Sequence, residues 1–117
     1  MEKRAEIVLK GRVQKAGYRD YIDEVAFDLD IKGWVKNLED GTVKVVCEGR
    51  SKDIEELINK IKIHEYPIRV DDAIVEFFPS TGEFRDFTII REEDIVFATY
   101  ERIDAAGRYM RDMNVIG

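Results

Sequence analysis

The chain has 117 residues, 44% of them hydrophobic, with 19 basic and 25 acidic side chains and a net charge of −6. This length fits one domain around a single core. Its apolar runs fall short of the roughly 18 to 20 residues of a membrane span, and the acidic balance argues against a general nucleic-acid surface. The lone cysteine, Cys47, leaves no internal disulfide to form, and the apolar part of MEKRAEIVLK is too short for a signal sequence, so the cytoplasm is the expected location.

In chain order, Ile7, Val8 and Leu9 mark a first strand within Ala5 to Val13, and Gly11 and Gly17 bracket the loop that follows. Tyr21, Ile22, Val25, Ala26 and Leu29 then recur on one face of a helix that stops before Gly33. Two short strands, Trp34 to Leu38 and Thr42 to Glu48, flank Asp40-Gly41, a strong hairpin signal. Ser51 is expected to cap a second helix with its stripe at Ile54, Leu57, Ile58 and Ile61. Ala73 to Phe78 reads as a strand, Pro79 to Glu83 as a turn and Phe84 to Ile90 as a last strand. The order strand, helix, strand, strand, helix, strand, strand predicts an α+β fold of the split βαβ kind, two helices on one face of a mainly antiparallel sheet.

From Glu92 onward a further helix is expected, with acids Glu92, Glu93 and Asp94 at its start and Val96, Thr99, Ile103, Ala106, Met110 and Met113 spaced by three and four. Residues 1–91 thus form the domain and residues 92–117 a C-terminal helical extension. The extension is expected to cover the open sheet face at Val8, Val46, Ile74, Phe78 and Ile90, in its own chain or across a homodimer.

The loop GRVQKAGYR carries the chemistry. A turn leading into a helix presents backbone N–H groups that lack intrahelical acceptors, and the helix dipole adds a positive end. Gln14, Lys15, Ala16, Gly17, Tyr18 and Arg19 occupy that junction; Gly17 admits positive φ, and Arg19 adds a rigid fork of donors suited to two phosphate oxygens. These residues outline an anion site. Taken locally, they equally allow Arg19 to pair with Asp20, Asp23 or the tail, with Gly17 a plain turn residue. Neither GxGxxG nor a Gly-Lys-Ser/Thr ending is present.

Other reactive side chains lack companions. His64 has no His/Cys cluster to make a metal site, Cys47 falls at an inward strand position without an activating histidine in sequence, and Trp34 reads as a packed strand aromatic. No metal or cofactor is expected.

Two separated motifs in the expected order carry a family resemblance. Gly11, Val13, Gln14 and Arg19, with Tyr18 as the aromatic, are followed by Gly33, Trp34, Val35 and Asn37, and then by Asp40, Gly41, Val43, Glu48 and Gly49. Over roughly the first 91 residues the chain resembles the acylphosphatase family. The resemblance implies a ferredoxin-like βαββαβ domain and a metal-independent hydrolase that splits small acyl phosphates into a carboxylate and inorganic phosphate. It implies that the loop backbone from Gln14 to Tyr18 and the Arg19 side chain hold the phosphoryl group, and that Asn37 orients the attacking water. The implied partners are a small acyl phosphate or inorganic phosphate, with no nucleic acid and no membrane. Lys15 stands where the family has glycine, Ala16 where it has valine, and Asp20 follows the arginine directly. The alternative is therefore a noncatalytic domain of the same kind that binds an anion or a partner.

Overall fold

Burial alternates along β1 (Glu2–Arg12): Ala5, Ile7 and Leu9 are fully buried, while Arg4, Glu6 and Val8 between them lie on the opposite face. Period-two alternation of this kind fixes register, because a one-residue slip would invert the faces. The strand runs antiparallel to β3 (Val43–Arg50), with Ile7 opposite Val45, and to β4 (Arg69–Pro79), with Ile7 opposite Val75. β2 (Lys32–Asn37) pairs antiparallel with β3, and β5 (Phe87–Ile90) joins β2 in parallel. The sheet order is β4-β1-β3-β2-β5, so the expected ferredoxin-like α+β architecture is present. The computed structural model describes residues 2–14 and 17–91; the expectations for Lys15, Ala16 and the extension at 92–117 lie outside them.

Two helices cover one face. α1 (Tyr18–Asp28) contributes Ile22, Val25 and Ala26 to the core, and α2 (Ser51–Ile61) contributes Ile54, Leu57 and Ile61. They pack on Ile7, Leu9, Val35, Val43, Val45 and Cys47 from the sheet. Each fully buried Ile or Leu contributes about 1.5–3 kcal/mol relative to exposure. α1 ends in a reversal in which the Ile31 N–H reaches Ala26 O at 2.9 Å and the Asp30 N–H reaches Phe27 O at 3.1 Å. Asp30 takes the left-handed conformation (φ 56°) that such a stop requires.

Several boundaries differ from expectation, among them the start of β1 at Glu2. Ser51 is the first helical residue, and Arg50, extended at φ −71° and ψ 145°, holds the capping position without a side-chain cap bond. β3 runs straight into the helix, so the switch from extended to helical backbone falls before Ser51. β4 is longer than foreseen, beginning at Arg69, and β5 is shorter, beginning at Phe87. The shortening of β5 traces to Glu48, a buried carboxylate on β3. It accepts hydrogen bonds from Thr81 N–H (2.9 Å), Thr81 Oγ1 (2.7 Å), Gly82 N–H (2.9 Å) and Arg4 Nη1 (3.1 Å). Arg4 also pairs with Glu83 at 2.9 Å and lies 5.3 Å from the Phe84 ring centre, which holds this segment over the sheet instead of along its edge. Burial would raise the Glu48 carboxyl, but the bonds from Thr81, Gly82 and Arg4 outweigh it and hold the pKa down at about 2.

At Gly33 the backbone of β2 approaches β3 so closely that an added Cβ would collide with Val46 O, and φ is 141°. Val8, Val46, Ile74, Phe78 and Ile90 lie outside the helix-facing cluster, as the strand registers foretold. Among them Val46 is buried, whereas Ile74 and Phe78 are exposed.

Candidate active site

α1 opens on Gly17, whose φ of 74° and ψ of 22° are left-handed. An added Cβ there would come no nearer than 3.9 Å to Asp20 Oδ2, so the glycine answers a backbone requirement, not a crowded one. The first intrahelical bond runs from the Tyr21 N–H to Gly17 O at 2.9 Å. The N–H groups of Tyr18, Arg19 and Asp20 precede it and are donors without helical acceptors, at the positive end of the helix.

Gln14 fastens the loop to the neighbouring hairpin. Its amide Nε2 donates to Leu38 O and to Thr42 O, both at 2.7 Å. The hairpin is itself braced by Asp40, whose Oδ1 accepts from Thr42 N–H at 3.0 Å and Thr42 Oγ1 at 2.6 Å. Asn37, the last residue of β2, is carried on this hairpin. Its side-chain Oδ1 is buried and, among the described residues, has no hydrogen-bond partner.

The Arg19 guanidinium donates through Nη1 to Ile90 O at 3.1 Å. One of the pairings left open by the sequence, Arg19 with Asp20, is replaced by a different one: Asp20 Oδ1 is paired with Arg91 Nη2 at 3.0 Å. Consecutive residues at the end of β5 therefore hold consecutive residues in the first turn of α1. Tyr18 turns its side chain into the core, where its hydroxyl donates to Ile61 O at 2.5 Å, and burial pushes the phenol pKa up.

These elements meet around a cavity of about 160 Å³. Gln14, Gly17, Tyr18, Arg19 and Asn37 line it, joined by Val13, Asp20 and Arg91. The space exceeds what a single water needs. A wider groove of about 1040 Å³ starts from Gly17 and Asp20 and runs along the outer side of α1 past Phe27, facing Arg85 to Thr88. It includes neither Arg19 nor Asn37.

The other reactive side chains lie elsewhere. Cys47 is buried in β3, with its thiol pushed up to about 12 by burial, and His64 is exposed after α2. Among the described residues no three His, Cys, Asp or Glu side chains gather as a metal-binding group, and no helix is long and apolar enough to cross a membrane. Sequence reasoning did not single out the Ile90 carbonyl or Arg91. No local motif marks either, because both reach the site only through the parallel β2–β5 pairing that sets Lys36 beside Ile90.

Comparison with known proteins converges on one family. The family model described as acylphosphatase matches residues 5–89. A protein named acylphosphatase from Geotalea uraniireducens (strain Rf4) is 38% identical over 89 residues, which is 76% of this chain and 98% of the relative. The crystal structure of acylphosphatase from Bacillus subtilis superposes with a TM-score of 0.72 at 28% identity, covering 75% of this chain and 98% of that one. A probable carbamoyltransferase HypF from Methanocaldococcus jannaschii is 35% identical over 92 residues, 78% of this chain but 12% of that protein.

Proposed function

The chain belongs to the acylphosphatase family, and on that premise we propose that it hydrolyses the carboxyl–phosphate bond of small acyl phosphates, giving a carboxylate and inorganic phosphate. The observation that carries the site assignment is that Arg19, the N-terminus of α1 and Asn37 line one small cavity. The phosphoryl group sits against the backbone donors of the loop from Gln14 to Arg19, with the Arg19 guanidinium across its oxygens. A guanidinium has five N–H donors in a fixed plane; the bond to Ile90 O takes one and orients the remainder. The Asn37 side-chain amide hydrogen-bonds the attacking water and aims its oxygen at phosphorus.

The carboxylate leaving group is good, so the reaction needs alignment and charge compensation more than a strong base. Water oxygen bonds to phosphorus as the bond to the carboxyl oxygen breaks, its electron pair leaving with the carboxylate. The water proton passes to a phosphoryl oxygen. Gln14 serves the site from outside the reaction by holding loop and hairpin together, and Gly17 supplies the left-handed turn. The test is hydrolysis of benzoyl phosphate by the wild type beside Arg19→Ala. Losing an aimed, charge-stabilising donor costs about 3 kcal/mol, or a hundredfold in kcat/KM; equal rates in the two proteins would refute the assignment.

The proposal extends to the whole chain. Residues 1–91 are the catalytic domain, working in the cytoplasm without nucleic acid, and residues 92–117 pack over the open sheet face or across a homodimer. Deleting 92–117 should lower the melting temperature or the number of subunits in solution, and no change in both would dismiss this role.

A further inference from the structure

Asp20 poses a physical problem for any phosphate in this cavity. It sits in the first turn of α1, where the helix dipole favours a carboxylate, and its Oδ2 lies 3.9 Å from where a Gly17 Cβ would stand. The carboxylate therefore occupies the same positive helix end that is to receive an anion, and it lines the same cavity as Arg19. An uncompensated carboxylate there would repel a phosphate dianion and compete for the Arg19 guanidinium.

Arg91 stands against both effects. Its Nη2 holds Asp20 Oδ1 at 3.0 Å, and its side chain lines the cavity as well. The preceding residue gives its carbonyl to Arg19. The two acceptor and donor contacts thus sort the charges: Arg19 is held by a neutral main-chain carbonyl, and Asp20 by a guanidinium. The influence of Arg91 reaches the next turn of α1, where it draws down the Asp23 carboxyl that burial and the Asp20 charge push up.

We propose that Arg91 is a charge-masking residue of the phosphate site, holding Asp20 away from Arg19 and cancelling its field so that the cavity accepts a dianion. This rests on the assignment of the cavity to the phosphoryl group. It makes Asp20 and Arg91 an interdependent pair, in which the arginine is needed only because the aspartate is present. The pair is partly exposed, with side-chain exposures of 41% for Arg91 and 62% for Asp20, so its direct contribution to stability is small. Its effect is to be sought in anion affinity.

The experiment is a double-mutant cycle in the full chain, reading the Kd of inorganic phosphate by calorimetry and kcat/KM for benzoyl phosphate, with melting temperature recorded for each protein. Arg91→Ala should weaken phosphate about five- to tenfold at low salt, as an exposed carboxylate near a dianion implies. Asp20→Asn should bind phosphate as tightly as the wild type or a few-fold tighter. The double variant should return to within about twofold of the wild type, the sign of strong coupling between neighbours. If the double variant binds as poorly as Arg91→Ala, the arginine acts on phosphate or on the fold directly and the masking role is overturned. Unchanged affinity in Arg91→Ala overturns it too, whatever the melting temperature does. A wild type that neither binds phosphate nor turns over benzoyl phosphate would instead refute the assignment of the cavity.

Discussion

Replacing Asn37 by alanine should separate activity from stability, because among the described residues no hydrogen bond of the fold ends on its Oδ1. Alanine therefore forfeits chiefly packing, of the order of 1 kcal/mol for the lost side-chain contacts. The net expectation is a domain within about 1 kcal/mol of the wild type, which for its size is a change in melting temperature of at most roughly 4–8 °C. In the same variant the water loses its amide partner, and kcat for benzoyl phosphate should fall about a hundredfold. The Kd of inorganic phosphate should stay within a few-fold of the wild type, since Arg19 and the helix N-terminus remain. Thermal melts, calorimetry and steady-state kinetics on one preparation supply all three readings. A fall in melting temperature well beyond that range, with kcat and phosphate affinity declining together, would show that Asn37 is a structural tether and not a water-orienting group.

Gln14→Glu should impair activity more than Gln14→Ala. The carboxylate has no N–H to give and would face two carbonyl oxygens that Nε2 now meets at 2.7 Å; similar kcat/KM values for the two variants would contradict the tethering role. Glu48 has a folded pKa of about 2 against an ordinary 4.5, so its contribution to stability is complete above pH 4.5 and is lost as pH falls toward 2. Urea midpoints across that window should slope downward with acid in the wild type and less steeply in Glu48→Gln, and parallel slopes would overturn the attribution. Gly33→Ala should cost about 2–3 kcal/mol, from positive φ and a Cβ driven against Val46 O; a urea midpoint equal to the wild type would mean β2 and β3 separate without penalty.

Element order, the helix-facing stripes and the left-handed entry into α1 were legible in sequence because each is a local property. Alternation in β1, the spacing of Ile54, Leu57 and Ile61, the Asp40-Gly41 turn and the Gly17 entry into α1 need no distant residue to make sense. The resemblance to acylphosphatases, carried by Gln14, Arg19 and Asn37, supplied the expectation of a water-orienting Asn37, which local patterns could not. The start of β5 escaped sequence reading, since Phe84 is drawn to Arg4 and Thr81 to Glu48, partners far along the chain. So did the holding of Arg19 by Ile90 and of Asp20 by Arg91. Sequence periodicity determined which faces are buried and where a positive helix end would appear. Only tertiary structure decided which charge meets which, because Coulomb and hydrogen-bond energies depend on distances between strands that the linear order does not contain.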